Sequence, residues 1–333
     1  MNIKTQTCGE LLASYRWIAD FFTENHLDLE TAKNQTMSDY LASIADEQLE
    51  DLALDRDKVL SDFITFVTQM RELLGETAAN RVDKLSILPG LNKEGEPEGF
   101  DRIDLYPSEI ISIVGPTGSG KSRLLQDIEW TASGDTPTRR RILINDEVPD
   151  LKWRFSANNK LVAQLSQNMN FVMDLTCYDF LSLHAQSRLV QDAESVIQRI
   201  LEAANELAGE PFSPHTHVTA LSGGQSRALM IADTAILSTS PIVLIDEIEN
   251  AGIDRRKALN LLLSKEKIVL MATHDPTLAL IADRRLIISK GGIANVLDTT
   301  DAERRVLSEL EIYDLKVQTL RRKLRYGERV DSL

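Results

Sequence analysis

The pattern of apolar and polar positions divides the chain near residue 100. Beyond it, short apolar runs, "IISIV" at Ile110, "RILIN" at Arg141, "PIVLID" at Pro241, "KIVLMAT" at Lys267 and "RLIIS" at Arg285, alternate with stretches of helical period. Runs without polar alternation suit strands buried on both faces, and their separation leaves room for crossover helices. The pattern predicts an α/β domain over residues 102–299, a mostly parallel sheet flanked by helices. Residues 1–87 read as an acidic all-α domain. There "QTCGELLASY" at Gln6 and "QTMSDYLASI" at Gln35 echo each other, each with a threonine N-cap and an acid three residues on, Thr7 with Glu10 and Thr36 with Asp39. Between the two regions, 88–101 ("LPGLNKEGEPEGFD") is rich in Gly, Pro and Glu without an apolar period, and is expected to be a linker. Over 300–333, Val306, Leu310, Tyr313, Val317, Leu320 and Leu324 recur at 4-3-4-3-4 spacing, an amphipathic C-terminal helix. Packing on the parent domain explains that stripe; a coiled-coil contact with a second copy is the alternative.

Composition narrows the class. With 333 residues and 43% hydrophobic content the chain can bury a substantial core, and no apolar run approaches the roughly 20 residues needed to cross a bilayer. The opening "MNIKTQTCGE" has no apolar leader, so a cytoplasmic protein is expected, or one peripheral at the inner face of the membrane. Cys8 and Cys177 are far apart, which fits a reducing compartment. At the start of a helix a Cys8 thiolate would be favoured, but a plain small residue at a helix start is the preferred reading. A net charge of -14 disfavours nucleic acid as a partner, and residues 1–90 hold sixteen acidic against eight basic residues. The basic end "RRKLRYGER" reads as a solvated face or a partner for that acidic region. His215 and His217 have an H-x-H spacing that could ligate a metal, but no carboxylate or Cys cluster supports such a site.

Candidate chemistry lies in two places. "GPTGSGKS" follows the "IISIV" run and precedes "RLLQDIEWTA", placing a phosphate loop between strand and helix. Gly115, Pro116, Thr117, Gly118, Ser119 and Gly120 would wrap phosphates with backbone N–H groups, Lys121 would reach the β- and γ-phosphates, and Ser122 would coordinate Mg²⁺. "PIVLIDE" ends a buried strand in two acids, Asp246 to hold Mg²⁺ and Glu247 to polarise an attacking water. A second Gly/Ser element, "TALSGGQSR" at Thr219, lies upstream of those acids.

In this order the motifs resemble the ATP-binding cassette (ABC) ATPase family over about residues 100–295. The resemblance implies a P-loop NTPase fold of ABC type with a helical subdomain at about 168–220, in a stand-alone cassette with an N-terminal helical extension. It implies ATP and Mg²⁺ as cofactors and hydrolysis to ADP and phosphate. It also implies a Q-loop at Gln167, which would sense Mg²⁺ and the water, and an H-loop at His274, which would contact the γ-phosphate. "LSGGQ", with Ser222, Gly223, Gly224 and Gln225, would close on ATP held by a second copy in a head-to-tail, ATP-dependent homodimer. Three positions depart from the pattern. Arg123 stands where a second Ser or Thr is usual, Asp254 lies one residue late for a D-loop, and Phe100, with Tyr106 as alternate, is the candidate to stack on adenine.

The work driven by ATP divides into two classes. In one, a soluble ATPase acts on a protein client recognised by the helical domain; in the other, a peripheral subunit docks on separate membrane subunits of a transporter. The long helical extension, Arg123 and the altered D-loop lean the reading slightly to the first. A DNA-maintenance ATPase is disfavoured, because only 54 residues separate Gln167 from Ser222 and the charge is acidic.

Overall fold

A computed structural model describes residues 3, 5–52, 54–73, 82–150, 161–166, 171–190, 192–246 and 253–330. They fall into two compact units, Met1–Asn80 with Ser182–Ile197, and Arg81–Leu181 with Gln198–Leu333.

The N-terminal part is all helix, with α1 Cys8–Ser14, α2 Ile18–Glu24, α3 Leu29–Ala32, α4 Met37–Ser43, α5 Asp46–Asp51 and α6 Arg56–Leu73. The echoing segments start α1 and α4. Thr7 and Glu10 close a reciprocal capping box, with Glu10 N donating to Thr7 Oγ1 at 3.2 Å and Thr7 N donating to Glu10 Oε2 at 2.9 Å. At Thr36 the acid is one carbon shorter: Asp39 N still donates to Thr36 Oγ1 at 3.2 Å, but the Asp39 carboxylate accepts from the threonine hydroxyl, at 2.7 Å, in place of the backbone N–H. The two starts abut: Cys8 N donates to Gln35 O at 2.8 Å, and a Cβ on Gly9 would stand 2.5 Å from Lys33 O. Below them Trp17, Phe21, Phe22, Tyr40 and Phe63 fill a buried aromatic core, with Phe21 edge-on to Phe63 at 5.1 Å.

In the second unit the strands are β1 Leu85–Leu88, β2 Ile103–Leu105, β3 Ile110–Val114, β4 Arg141–Ile144, β5 Val162–Leu165, β6 Ile242–Asp246, β7 Ile268–Ala272, β8 Arg284–Ser289 and β9 Gly292–Asp298. The main sheet has the order β5-β6-β7-β3-β8-β9, parallel except for the β8–β9 hairpin. Four of the five apolar runs lie in it. "RILIN" does not: β4 pairs antiparallel with β1, which also pairs with β2, in a separate three-stranded sheet. Arg141 at its start is exposed and Leu143 only half-buried, while β6 and β7 are buried on both faces. One solvated face is what an antiparallel strand tolerates.

The expected linker is also corrected. Residues 88–101 connect the paired strands β1 and β2, and Glu98 within them is buried. The helices of this unit and its neighbouring segment are α7 Lys121–Glu129, α8 Cys177–Ser187, α9 Ala193–Leu207, α10 Gly223–Ile236, α11 Arg255–Leu263, α12 Pro276–Ile281 and α13 Asp301–Arg325. The first half of α13 is tied to its own unit through Arg304 to Asp283 at 3.5 Å and Arg256 to Glu311 at 3.0 Å. Its stripe is only partly packed: Val306, Tyr313, Val317 and Leu324 remain exposed. Among the described residues no helix is long and apolar enough to cross a membrane.

Burial agrees with the preferred plain reading of Cys8 and sets aside the thiolate alternative. Cys8 and Cys177 are fully buried, and loss of hydration pushes each thiol from the ordinary 9.0 up to about 11. Neither should react with iodoacetamide at pH 8 in the folded protein, while both react in denaturant. Above pH 9.0 the unfolded chain releases these protons and the folded chain retains them, so stability falls as pH rises towards about 11. Alkylation followed by mass spectrometry, and denaturant unfolding at two alkaline pH values, check the two expectations.

Candidate functional site

Three adjacent strands of the main sheet, β6, β7 and β3, end in polar chain. In register, Asp246 lies beside Ala272, and Ala272 beside Ile113. At about 4.8 Å between strands, the ends that lead to Glu247, His274 and Gly115 are brought within about 10 Å of one another. This is the edge where ligands of open α/β sheets bind.

The loop after β3 turns back on itself into α7. Gly120 has φ +112° at the N-cap, and a Cβ there would meet Gly291 Cα at 2.8 Å, so only glycine fits. The carbonyls of the loop are taken up: Lys121 Nζ donates to Gly115 O at 2.8 Å and Pro116 O at 3.3 Å, Gly291 N to Ser119 O at 2.7 Å, and Arg123 N to Gly120 O at 3.0 Å. Lys121 and Ser119 are buried, Ser119 Oγ has no partner among the described residues, and Thr117, Gly118, Ser122 and Arg123 are exposed. A loop whose carbonyls are occupied, at the start of a helix, suits an anion.

A second helix start is prepared differently. Ser222 caps α10 in a complete box: Gln225 N donates to Ser222 Oγ at 3.3 Å and Ser222 N to Gln225 Oε1 at 2.9 Å. The box satisfies the cap and third-position amides, and no described hydrogen bond takes the N–H groups of Gly223 and Gly224. Ser222 and Gly223 are exposed, and a Cβ on Gly223 would have nothing within 4 Å. Near this element His217 Nδ1 and Thr219 Oγ1 both bond to Asp174 Oδ1 at 2.8 Å. Among the described residues no group of three or more His, Cys, Asp or Glu could hold a metal.

The comparisons with known proteins agree with this geometry. The sequence pattern of the "ABC transporter" family matches residues 101–250. An uncharacterised ABC transporter ATP-binding protein of Methanocaldococcus jannaschii is 47% identical over 249 residues, 75% of this chain and 95% of that protein. The chain belongs to the ABC ATP-binding protein family. It is an ABC ATPase. The ABC transporter G family member 4 of Arabidopsis thaliana is 29% identical over 198 residues; the match covers 56% of this chain and a third, 33%, of the plant protein. The solved structure of cbiO1 from Clostridium perfringens, part of the ABC transporter complex cbiONQ, shares the fold with TM-score 0.51 at 19% identity, covering 73% of this chain and 100% of that one.

Of the positions expected to serve the ABC ATPase, Gln167 and Glu247 lie outside the described residues. His274 is exposed, and is followed by Asp275, which caps α12 and pairs with Arg255 of α11. Asp254 caps α11, accepting from Lys257 N at 3.1 Å. Phe100 packs against the main-sheet core, while Tyr106 is exposed. The described hydrogen bonds of Ser222 and Gln225 run within their own cap and to Glu210 O, none to the phosphate loop.

Sequence reasoning missed the group that fixes this loop from behind. Arg140 is fully buried; its Nη2 and Nε bond Glu98 Oε1 at 2.6 and 3.2 Å, Nε also bonds Glu98 Oε2 at 3.0 Å, Nη1 bonds Asp127 Oδ2 at 2.9 Å, and Nη2 donates to Gly291 O at 3.0 Å. Glu98 also accepts from Gly90 N and Ile293 N. One guanidinium thus joins the β1–β2 connection, the helix after the phosphate loop and the β8–β9 turn. Removing it leaves two carboxylates buried, a loss of roughly 3–5 kcal/mol for a broken buried pair. Arg140→Met is expected to lower stability by about that amount in urea unfolding. A loss below about 1 kcal/mol would show that the cluster is not needed.

Proposed function

We propose that this ABC ATPase is the peripheral ATP-binding subunit of a transporter, docking on separate membrane subunits. The 47% identical relative, matched over 95% of its length, carries an ABC transporter ATP-binding name, and this supports the reading. The soluble ATPase with a protein client, slightly favoured on sequence, finds no support among these relatives. Its arguments were the helical extension and two altered motif positions, and neither kind of feature identifies a client.

In this reading ATP lies in the loop Gly115–Ser122. Lys121, buried and bonded to two loop carbonyls, exchanges them for the β- and γ-phosphate oxygens. Arg123, exposed in the first turn of α7, takes the place of the usual hydroxyl near the phosphates. Mg²⁺, a hard cation that needs few protein oxygens, would be held by Ser122 and Asp246 with Gln167, and would offset the phosphate charge. Glu247 draws the proton from the attacking water, and His274 orients the γ-phosphate. Phe100, packed against the core, is the candidate to stack on adenine, with the exposed Tyr106 as alternate.

The signature supports a dimer. Gly223 and Gly224 offer two unused N–H groups at an exposed helix start, with open space around Gly223. Such a start binds a phosphate oxygen well, and the reading takes that oxygen from ATP on a second chain. Two copies packed head to tail would then share two composite sites.

Lys121→Ala or Glu247→Gln is expected to lower ATP turnover by about two to four orders of magnitude. In mixed dimers, Ser222→Arg on one chain and Lys121→Ala on the other place both lesions in one composite site and leave the other intact. Partial turnover, with little from either variant alone, is the expected outcome; additive residual activities would sink the shared site.

For the transport role, the Glu247→Gln protein is incubated with ATP and detergent-solubilised membranes, and its partner is recovered. A polytopic membrane protein whose reconstitution raises the ATPase rate of the wild-type chain is expected. Recovery of a soluble enzyme alone would overturn it.

A further inference from the structure

Carbonyls that faced into a phosphate cradle would repel its ligand, and a donor outside the cradle holds such a group turned away. In the loop Gly115–Gly120, most are held by neighbours within the motif or by Gly291. The Gly118 carbonyl is held by a residue from outside: Lys93 Nζ donates to it at 2.8 Å. Gly118 sits at φ +76° with nothing within 4 Å of where a Cβ would be, so local packing does not fix this peptide. Its partner across the plane is already set, because Ser119 N donates to Pro116 O at 3.0 Å.

Lys93 is itself held. Its backbone N donates to Lys290 O at 2.7 Å, and its stem lies over Gly291, where a Cβ would come within 2.6 Å of Lys93 Cγ. The turn that carries it is closed by Asn92 Oδ1, which accepts from Glu94 N at 2.9 Å and Glu96 N at 3.0 Å, and Glu94 pairs with Lys290 at 2.9 Å. An ammonium has three donors, and one is spent on Gly118.

We propose that Lys93 is a positioning residue of the nucleotide site, pinning the Gly118 peptide so that the cradle stands formed before ATP arrives, and adding a second cation beside Lys121. This rests on the reading of Gly115–Ser122 as the ATP cradle. The effect belongs to phosphate binding and not to the chemical step, so it separates KM from kcat.

The test compares Lys93→Met, which keeps the stem over Gly291 and loses the donor, with Lys93→Arg, which keeps a charged donor. Steady-state ATPase kinetics, MgATP and MgADP dissociation constants and melting temperatures of the nucleotide-free proteins are measured. Lys93→Met is expected to raise KM and both dissociation constants roughly tenfold, with kcat within about twofold and melting unchanged. Lys93→Arg is expected to recover most of the affinity. Unchanged affinity in Lys93→Met overturns the proposal. So does weakened affinity in both variants together with lower melting, which is a structural role, or a fall in kcat with KM unmoved. Lys121→Ala run alongside separates the two readings: if it binds and turns over ATP normally, the cradle itself is wrongly assigned, whereas a dead Lys121→Ala with a silent Lys93→Met removes only the role of Lys93.

Discussion

The guanidinium of Arg140 is the interaction on which the site's framework depends. It sits without solvent contact among two carboxylates, a carbonyl and the ends of three elements far apart in sequence. Burying those charges costs several kcal/mol each, and planar two-pronged geometry is what recovers it; an ammonium, with three donors, could not make the two-pronged pair to Glu98 and also bond Asp127 and Gly291. Asp127 lies on the helix that follows the phosphate loop, and Gly291 donates to Ser119 O within that loop. Fixing Arg140 therefore fixes the back wall of the cradle. The crowding at Gly90 belongs to the same arrangement: a Cβ there would stand 2.6 Å from Arg140 Cγ and 2.2 Å from Thr138 O.

That wall explains what was and was not legible in the sequence. The central strands were legible because residues buried on both faces must be apolar throughout, as in "IISIV" and "PIVLID", and the phosphate loop because its glycines are demanded by backbone geometry. The stretch 88–101 was not. Its Glu and Gly content matches a solvated linker, and the fact that buries Glu98 is an arginine 42 positions away inside "TRRR", where nothing local separates Arg140 from its neighbours. Long-range pairing of charges leaves no period to read. β4 failed for a related reason: three consecutive apolar positions cannot tell a half-solvated antiparallel strand from a buried parallel one. In the N-terminal region the caps at Thr7 and Thr36 were legible, since a cap is a contact over three residues, but the abutting of the two helix starts was not.

The two glycine-rich elements solve different problems with the same residue. In the phosphate loop glycine answers to the chain's own geometry: Gly120 has a positive φ and a neighbouring backbone within 2.8 Å. In the signature it does not, because Gly223 has ordinary helical geometry and empty space about it, so the chain itself would accommodate a side chain there. The missing Cβ leaves room for a group from outside the chain. The cap sharpens this, since the Ser222–Gln225 box consumes the outer amides and leaves the two glycine N–H groups unspent. An exposed helix start with two spare donors and no Cβ beside them is shaped for close approach by an anion. In the proposed reading that anion is a phosphate oxygen of ATP held at Gly115–Ser122, and no described hydrogen bond joins the two elements within one chain. In the dimer proposed above, the arrangement is that of a site divided between chains, in which neither half holds the phosphate from all sides.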